Sequence, residues 1–98
     1  MIKFMKKEIK TVHLKAFGRV QGVGFRWSAI EKAKQLHITG WVKNDYDGSV
    51  ELVALGLSDN LKKFIEVIRK SPTPYGKVIH LDINYIPNQQ FNAFDVKY

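Results

Sequence analysis

Apolar and polar positions alternate from Thr11 to Phe17. Val12, Leu14 and Ala16 fall on one side, and His13, Lys15 and Phe17 on the other. A period of two reads as a strand with one face turned to a core. The period changes after Arg26. Ala29, Ile30, Ala33 and Leu36 recur at helical spacing, with Lys32, Lys34 and Gln35 on the wet side, which predicts an amphipathic helix. Two starts fit the residues. Ser28-Ala-Ile-Glu31 matches a capping box, whereas a start near Phe25 sets the helix directly behind the glycines that precede it. The earlier start is the expectation, because a loop that binds an anion works best when it leads straight into a helix.

Thr39 to Asn44 and Ser49 to Leu55 read as two further strands. They are joined by Asp45-Tyr-Asp-Gly48, whose Asp-Gly pair marks a hairpin turn. Val50, Leu52 and Ala54 share one face of the second strand and Glu51, Val53 and Leu55 the other; Gly56 is expected to break it. Asp59 is the expected N-cap of a second helix, which carries Leu61, Phe64, Ile65 and Ile68 at helical spacing. Arg69 and Lys70 complement the dipole in its last turn, and Ser71-Pro-Thr-Pro74 stops it. Val78 to Ile86 predicts a fourth strand with Ile79, Leu81, Ile83 and Tyr85 on one face. After a loop, Phe94, Val96 and Tyr98 predict a short final strand.

The order is strand, helix, strand, strand, helix, strand, with a terminal strand appended. Two strand–helix–strand units joined by a hairpin predict an α+β fold: the ferredoxin-like split βαββαβ sandwich, with one antiparallel sheet and two helices on one face. Residues 1–10 read as a basic, loosely held N-terminal extension, and 11–98 as the domain itself.

At 98 residues the chain fits one compact domain. An apolar share of 45% separates it from disordered sequences. With no cysteine it has no disulfide, no thiolate nucleophile and no cysteine metal site. The formal charge of +7 favours anionic partners, although a basic surface without a partner explains it equally well. The lysines of Met1 to Lys10 interrupt any signal-peptide core, and no run reaches the length of a membrane span. A soluble, cytoplasmic protein without a membrane partner is the expectation, and a monomer its default state.

Candidate chemistry collects in Gly18-Arg-Val-Gln-Gly-Val-Gly-Phe-Arg26, between the first strand and the first helix. Its glycines permit backbone conformations that a side chain would block. Successive N–H groups at a helix start can converge on an anion, and Arg26 adds a planar fork of donors suited to phosphate oxygens. The plainer reading is a glycine-rich turn with a surface arginine. The second strand brings Gly40-Trp-Val-Lys-Asn44 near this loop. Asn44 cannot act as a base, but its amide can hold a water in line for attack; its plainer role is a turn former before Asp45. The pairing suits hydrolysis of a phosphate compound with a good leaving group, such as an acyl phosphate, whose carboxylate needs no general acid. The catalyst then has mainly to position the group and stabilise its charge.

These two segments, followed by Gly48, Val50 and Gly56, resemble the paired signatures of the acylphosphatase family, and the similarity in element order runs from about Thr11 to Tyr98. The resemblance implies hydrolysis of the carboxyl–phosphate bond of a small-molecule acyl phosphate, with inorganic phosphate as product and no metal or cofactor. It implies that Arg26 is the catalytic arginine and that Asn44 orients the water. The phosphate cradle would then run over Arg19, Val20, Gln21, Gly22, Val23 and Gly24, with Arg26. Two residues depart from the usual pattern. Ala16 stands where a larger aliphatic is common. Asp45 stands where some members have threonine, and could set a like charge beside the phosphate.

Other residues have simpler roles. The Arg19 side chain could add field at the pocket or point to solvent. Lys43 should project away from Asn44. Trp41 could wall the pocket, with packing the expected role. His13, His37 and His80 lack ligand spacing and read as structural, and Asp45 and Asp47 as turn residues. A nucleic-acid module of similar topology would stack bases on aromatics of its central strands. The strand from Ser49 to Leu55 offers none, so no nucleic-acid partner is expected.

Overall fold

The computed structural model describes residues 8–98. Seven elements follow in order: β1 (Ile9–Arg19), α1 (Phe25–Gln35), β2 (Thr39–Asn44), β3 (Val50–Leu57), α2 (Ser58–Arg69), β4 (Lys77–Ile86) and β5 (Phe94–Val96). They form one sheet in the order β4-β1-β3-β2-β5, the ferredoxin-like arrangement with an added edge strand. The pairs β1–β3, β1–β4 and β2–β3 are antiparallel. The sheet is mixed rather than wholly antiparallel, because β5 runs parallel to β2, with Gly40 opposite Phe94 and Val42 opposite Val96.

The register turns the predicted apolar set to one side. Val12 faces Ala54, Leu14 faces Leu52, and Ala16 faces Val50, and all six are wholly buried. Both helices cover this face, α2 over β1, β3 and β4, and α1 over β2 and β5. Leu61, Phe64, Ile65 and Ile68 are the buried stripe of α2. Phe64 meets Phe94 of β5 edge-on, with ring centroids 5.7 Å apart. Such a pair contributes about 0.5–1.5 kcal/mol beyond its burial.

Several boundaries differ from those expected. α1 begins at Phe25, as preferred, and Ser28 lies inside its first turn, its N–H donating to the Gly24 carbonyl at 3.0 Å. β1 begins at Ile9, opposite Leu57, so the last residues read as extension are strand; residues 1–7 lie outside the described residues. Gly56 does not break β3, which continues to Leu57. A Cβ at Gly56 would meet Ile38 Cδ1 at 2.5 Å, so this glycine serves close packing rather than termination. Asp59 is not the N-cap of α2. Leu57 takes that position without a side-chain cap, and Asp59 sits in the first turn, where its charge complements the dipole.

The fourth strand is bulged. Phe17 pairs with His80 and Gly18 with Val78, leaving Ile79 as the extra residue. The bulge reverses the alternation there, so Val78 packs on the core with Leu81 and Ile83 while Ile79 is exposed. Tyr85 keeps the register of Leu81 and Ile83, opposite Val12, and is nonetheless exposed.

Candidate active site

The loop between β1 and α1 is anchored at one end by Val20, which is buried in the core. It turns through Gly22 (φ +75°) and Gly24 (φ +79°). Both are in the left-handed region, which a side chain strains. Gly24 caps α1 with its backbone alone, and no acidic residue sits in the first turn. The N–H groups of the first helical turn have no intrahelical acceptor. Together with the positive end of the helix dipole they suit an anion.

A cavity of about 270 Å³ opens at this helix start. Val20, Gly22, Gly24, Phe25, Arg26, Trp27 and Ile30 line it from the loop and α1, Asn44 from the end of β2, and Val96 and Tyr98 from the C-terminal segment. Arg26 and Asn44 therefore share one concavity. The Arg26 guanidinium lies 5.9 Å from the Tyr98 ring centroid. Among the described residues it has no carboxylate within ion-pair distance, so its charge is not already neutralised.

The remaining expected site residues divide. Arg19 ends β1, is exposed, and borders a separate concavity with Tyr75, Lys77 and Ile79. Val23 packs against the core, and its carbonyl accepts from the Thr73 hydroxyl at 3.1 Å. The Gln21 side chain donates to the carbonyls of Asp45 and Ser49, both at 2.8 Å. The side chains of these three residues thus do not line the cavity, whatever their backbone amides offer.

Asp45 does not set its charge beside the site. Its carboxylate lies on the open face of the sheet, 3.5 Å from Lys15 Nζ and 3.8 Å from Lys43 Nζ. Lys43 projects away from Asn44 as alternation requires and also faces Glu51. Trp41 lies on the same open face beneath Lys97 Nζ, 4.4 Å from its ring centroid, and does not wall the cavity. Asp47 accepts from the hydroxyl and the amide of Ser49 and pairs with Lys15. These contacts hold its carboxyl at about 2. Its hydrogen bond and charge, with those of Asp45, raise the Lys15 pKa despite desolvation. Burial pushes the Glu51 carboxyl up, but the hydrogen bond and charge of His13, with Lys43, outweigh it and leave it lowered. His13 contacts Glu51, and His80 contacts Asp82. The described residues contain no cluster of three or more His, Cys, Asp or Glu that could hold a metal.

Sequence reasoning missed Phe25, Trp27, Ile30, Val96 and Tyr98 as lining residues, and Thr73 and the Gln21 side chain as braces. The alternation of Phe94, Val96 and Tyr98 was the available signal for the C-terminal wall. Without the parallel pairing of β5 to β2, nothing in that pattern assigned it to this cavity.

Comparison with known proteins agrees with the geometry. The acylphosphatase family model matches residues 12–96. An acylphosphatase of Lactobacillus johnsonii is 47% identical over 91 residues, 92% of this chain and 100% of the relative. One from Lactiplantibacillus plantarum is 43% identical over 88 residues, 90% of this chain and 98% of that one. Among solved structures, an acylphosphatase from Coxiella burnetii superposes with a TM-score of 0.88 at 34% identity, covering 96% of this chain and 100% of its own. The Bacillus subtilis acylphosphatase gives 0.86 at 32% identity, covering 91% and 99%.

Proposed function

This chain belongs to the acylphosphatase family, and on that premise we propose how its residues divide the hydrolysis of an acyl phosphate. The backbone N–H groups of Arg19 to Gly24 and of the first turn of α1 receive the phosphoryl oxygens. Arg26 grips the same group with charge-assisted hydrogen bonds. Asn44 holds a water on the far side of phosphorus from the leaving carboxylate. The water oxygen bonds to phosphorus as the bond to the acyl oxygen breaks. The carboxylate leaves as a stable anion, and the proton given up by the water passes to the phosphate product or to solvent. No general acid is required.

The observation that carries this reading is that Arg26 and Asn44 line one cavity at the N-terminus of α1. Charge moves onto the transferring oxygens and the leaving group during the step, where preorganised donors are most effective. The proposal includes a cytoplasmic monomer acting without metal or cofactor. No helix among the described residues is long and apolar enough to cross a membrane.

The test is a direct assay with acetyl phosphate and, in parallel, a phosphomonoester such as a nitrophenyl phosphate. Cleavage of the first alone is expected. Equal cleavage of both, or of neither, would overturn the assignment.

A further inference from the structure

We propose that Gln21 is a positioning residue that fixes the distance between the phosphoryl cradle and Asn44; this rests on the roles given above to the loop and to Asn44. Gln21 lies between Val20 and Gly22, both of which line the cavity. Its backbone belongs to the loop, but its side chain leaves it. The amide nitrogen donates to the carbonyls of Asp45 and Ser49, each at 2.8 Å.

Those carbonyls face each other across the mouth of the β2–β3 hairpin. The Ser49 carbonyl already accepts from the Asp45 N–H at 2.9 Å, and the Asp45 carbonyl from the Gly48 N–H at 3.1 Å. Each has a second lone pair, and Gln21 takes both. A primary amide suits this place because it carries two N–H donors on one atom. A carboxylate has none, and a thioether only fills the space.

Asn44 is the residue immediately before this clasp. It is the last residue of β2 and pairs with Val50. The sheet fixes it on one side. On the other side the chain leaves the ladder, and Gln21 fixes it there. Among the described residues, these two are the side-chain hydrogen bonds that join the loop to the hairpin. The group that aims the water is thereby tied to the loop that holds its target. Misplacement by about 1 Å costs on the order of 100-fold in rate, so the tie acts on turnover.

The experiment replaces Gln21 in the full chain and reads three quantities: kcat for acetyl phosphate, the inhibition constant of inorganic phosphate, and the 15N NMR signals of the Asn44 side-chain amide. Gln21→Met should lower kcat about 10- to 100-fold, keep the phosphate inhibition constant within about twofold, and broaden or shift the Asn44 signals. Gln21→Glu, which turns a carboxylate on two carbonyl oxygens, should lower kcat at least as far. In an Asn44→Ala background, Gln21→Met should cost no more than about twofold further. A Gln21→Met enzyme with unchanged kcat and unmoved Asn44 signals would overturn the proposal. So would a phosphate affinity that falls as far as kcat, which would assign Gln21 to the cradle, or an undiminished cost without Asn44. Should Gln21→Met fail to fold, Gln21→Asn shortens the same amide by one methylene and is judged by the same outcomes. A wild-type protein inactive on acetyl phosphate, whose Asn44 signals still respond to Gln21→Met, would reject the catalytic reading and leave the tie standing.

Discussion

The guanidinium of Arg26 stands 5.9 Å from the centroid of the Tyr98 ring, so the first turn of α1 and the end of the chain share one wall of the cavity. A carboxylate in that place would steady the arginine but neutralise it. An aromatic face steadies it and leaves its charge for a ligand. An exposed cation–π contact is worth about 0.5–1 kcal/mol. Tyr98→Ala is therefore expected to lower kcat/KM for acetyl phosphate about 2- to 5-fold. Tyr98→Phe should retain the wild-type value, since the ring face persists without the hydroxyl.

Arg26→Ala removes the charge and the donor fork. Loss of one preorganised donor to a developing anion costs about 100- to 1,000-fold in kcat, and the expected fall is at least that large. Inhibition by inorganic phosphate should weaken in parallel. Thermal unfolding should shift little, because Arg26 holds no ion pair with another described residue. A folded variant with near wild-type turnover would refute the role.

Asn44→Ala should separate binding from turnover. In the proposed division of roles phosphate is held by the loop amides and Arg26, so its inhibition constant is expected to stay within about twofold. The rate should fall about 100-fold or more once the water is no longer aimed. Loss of phosphate inhibition as well would mean that Asn44 binds the anion instead.

A chelator should leave the rate on acetyl phosphate unchanged if, as proposed, Arg26 and the backbone donors meet the phosphoryl charge. A rate abolished by chelation and restored by a divalent ion would reject that division of labour.

The contacts of Asp47 with Ser49 and with Lys15 give stability a pH dependence at both ends. The Asp47 carboxyl is held at about 2, below its ordinary 3.8. Its ionic contribution is complete above that ordinary value and is lost as the pH falls toward the folded one. The Lys15 pKa is raised above 10.5, so its contribution is present below that value and is lost as the pH climbs through the folded pKa. Melting curves of wild type and Asp47→Ala should differ by a constant amount near neutrality and converge below about pH 4. A difference that persisted unchanged at pH 2 would show that ionisation of Asp47 contributes nothing to stability.

Regular periodicity made most of this fold legible. Val12, Leu14 and Ala16, and Leu61, Phe64, Ile65 and Ile68, are buried as their spacing required. Arg26 and Asn44, which line one cavity, could be singled out because each sits in a short contiguous segment. What failed to show depended on partners distant in sequence. Ile79 followed its neighbours' alternation, and only the β1–β4 register turns it out. Gly56 read as a breaker because the Ile38 side chain that needs the space is far along the chain. The Gln21 side chain could not be assigned from the loop, because its acceptors are main-chain oxygens, which carry no residue signature. Trp41 and Asn44 lie three residues apart on one strand, and alternation alone sends them to opposite faces.

The short β5 strand and the residues that flank it do three unrelated things. They cover the free edge of β2, where the Gly40 N–H donates to the Ala93 carbonyl and the Lys97 N–H to the Val42 carbonyl, and they carry Val96 into the cavity wall. Phe94 meanwhile roofs Phe64. Clipping the chain ahead of Ala93 would bare a row of unpaired donors and acceptors beside a suddenly wet phenyl ring, a template for edge-to-edge stacking of one molecule on the next. Proteolytic trimming of this tail would thus open one wall of the cavity and seed precipitation in the same stroke.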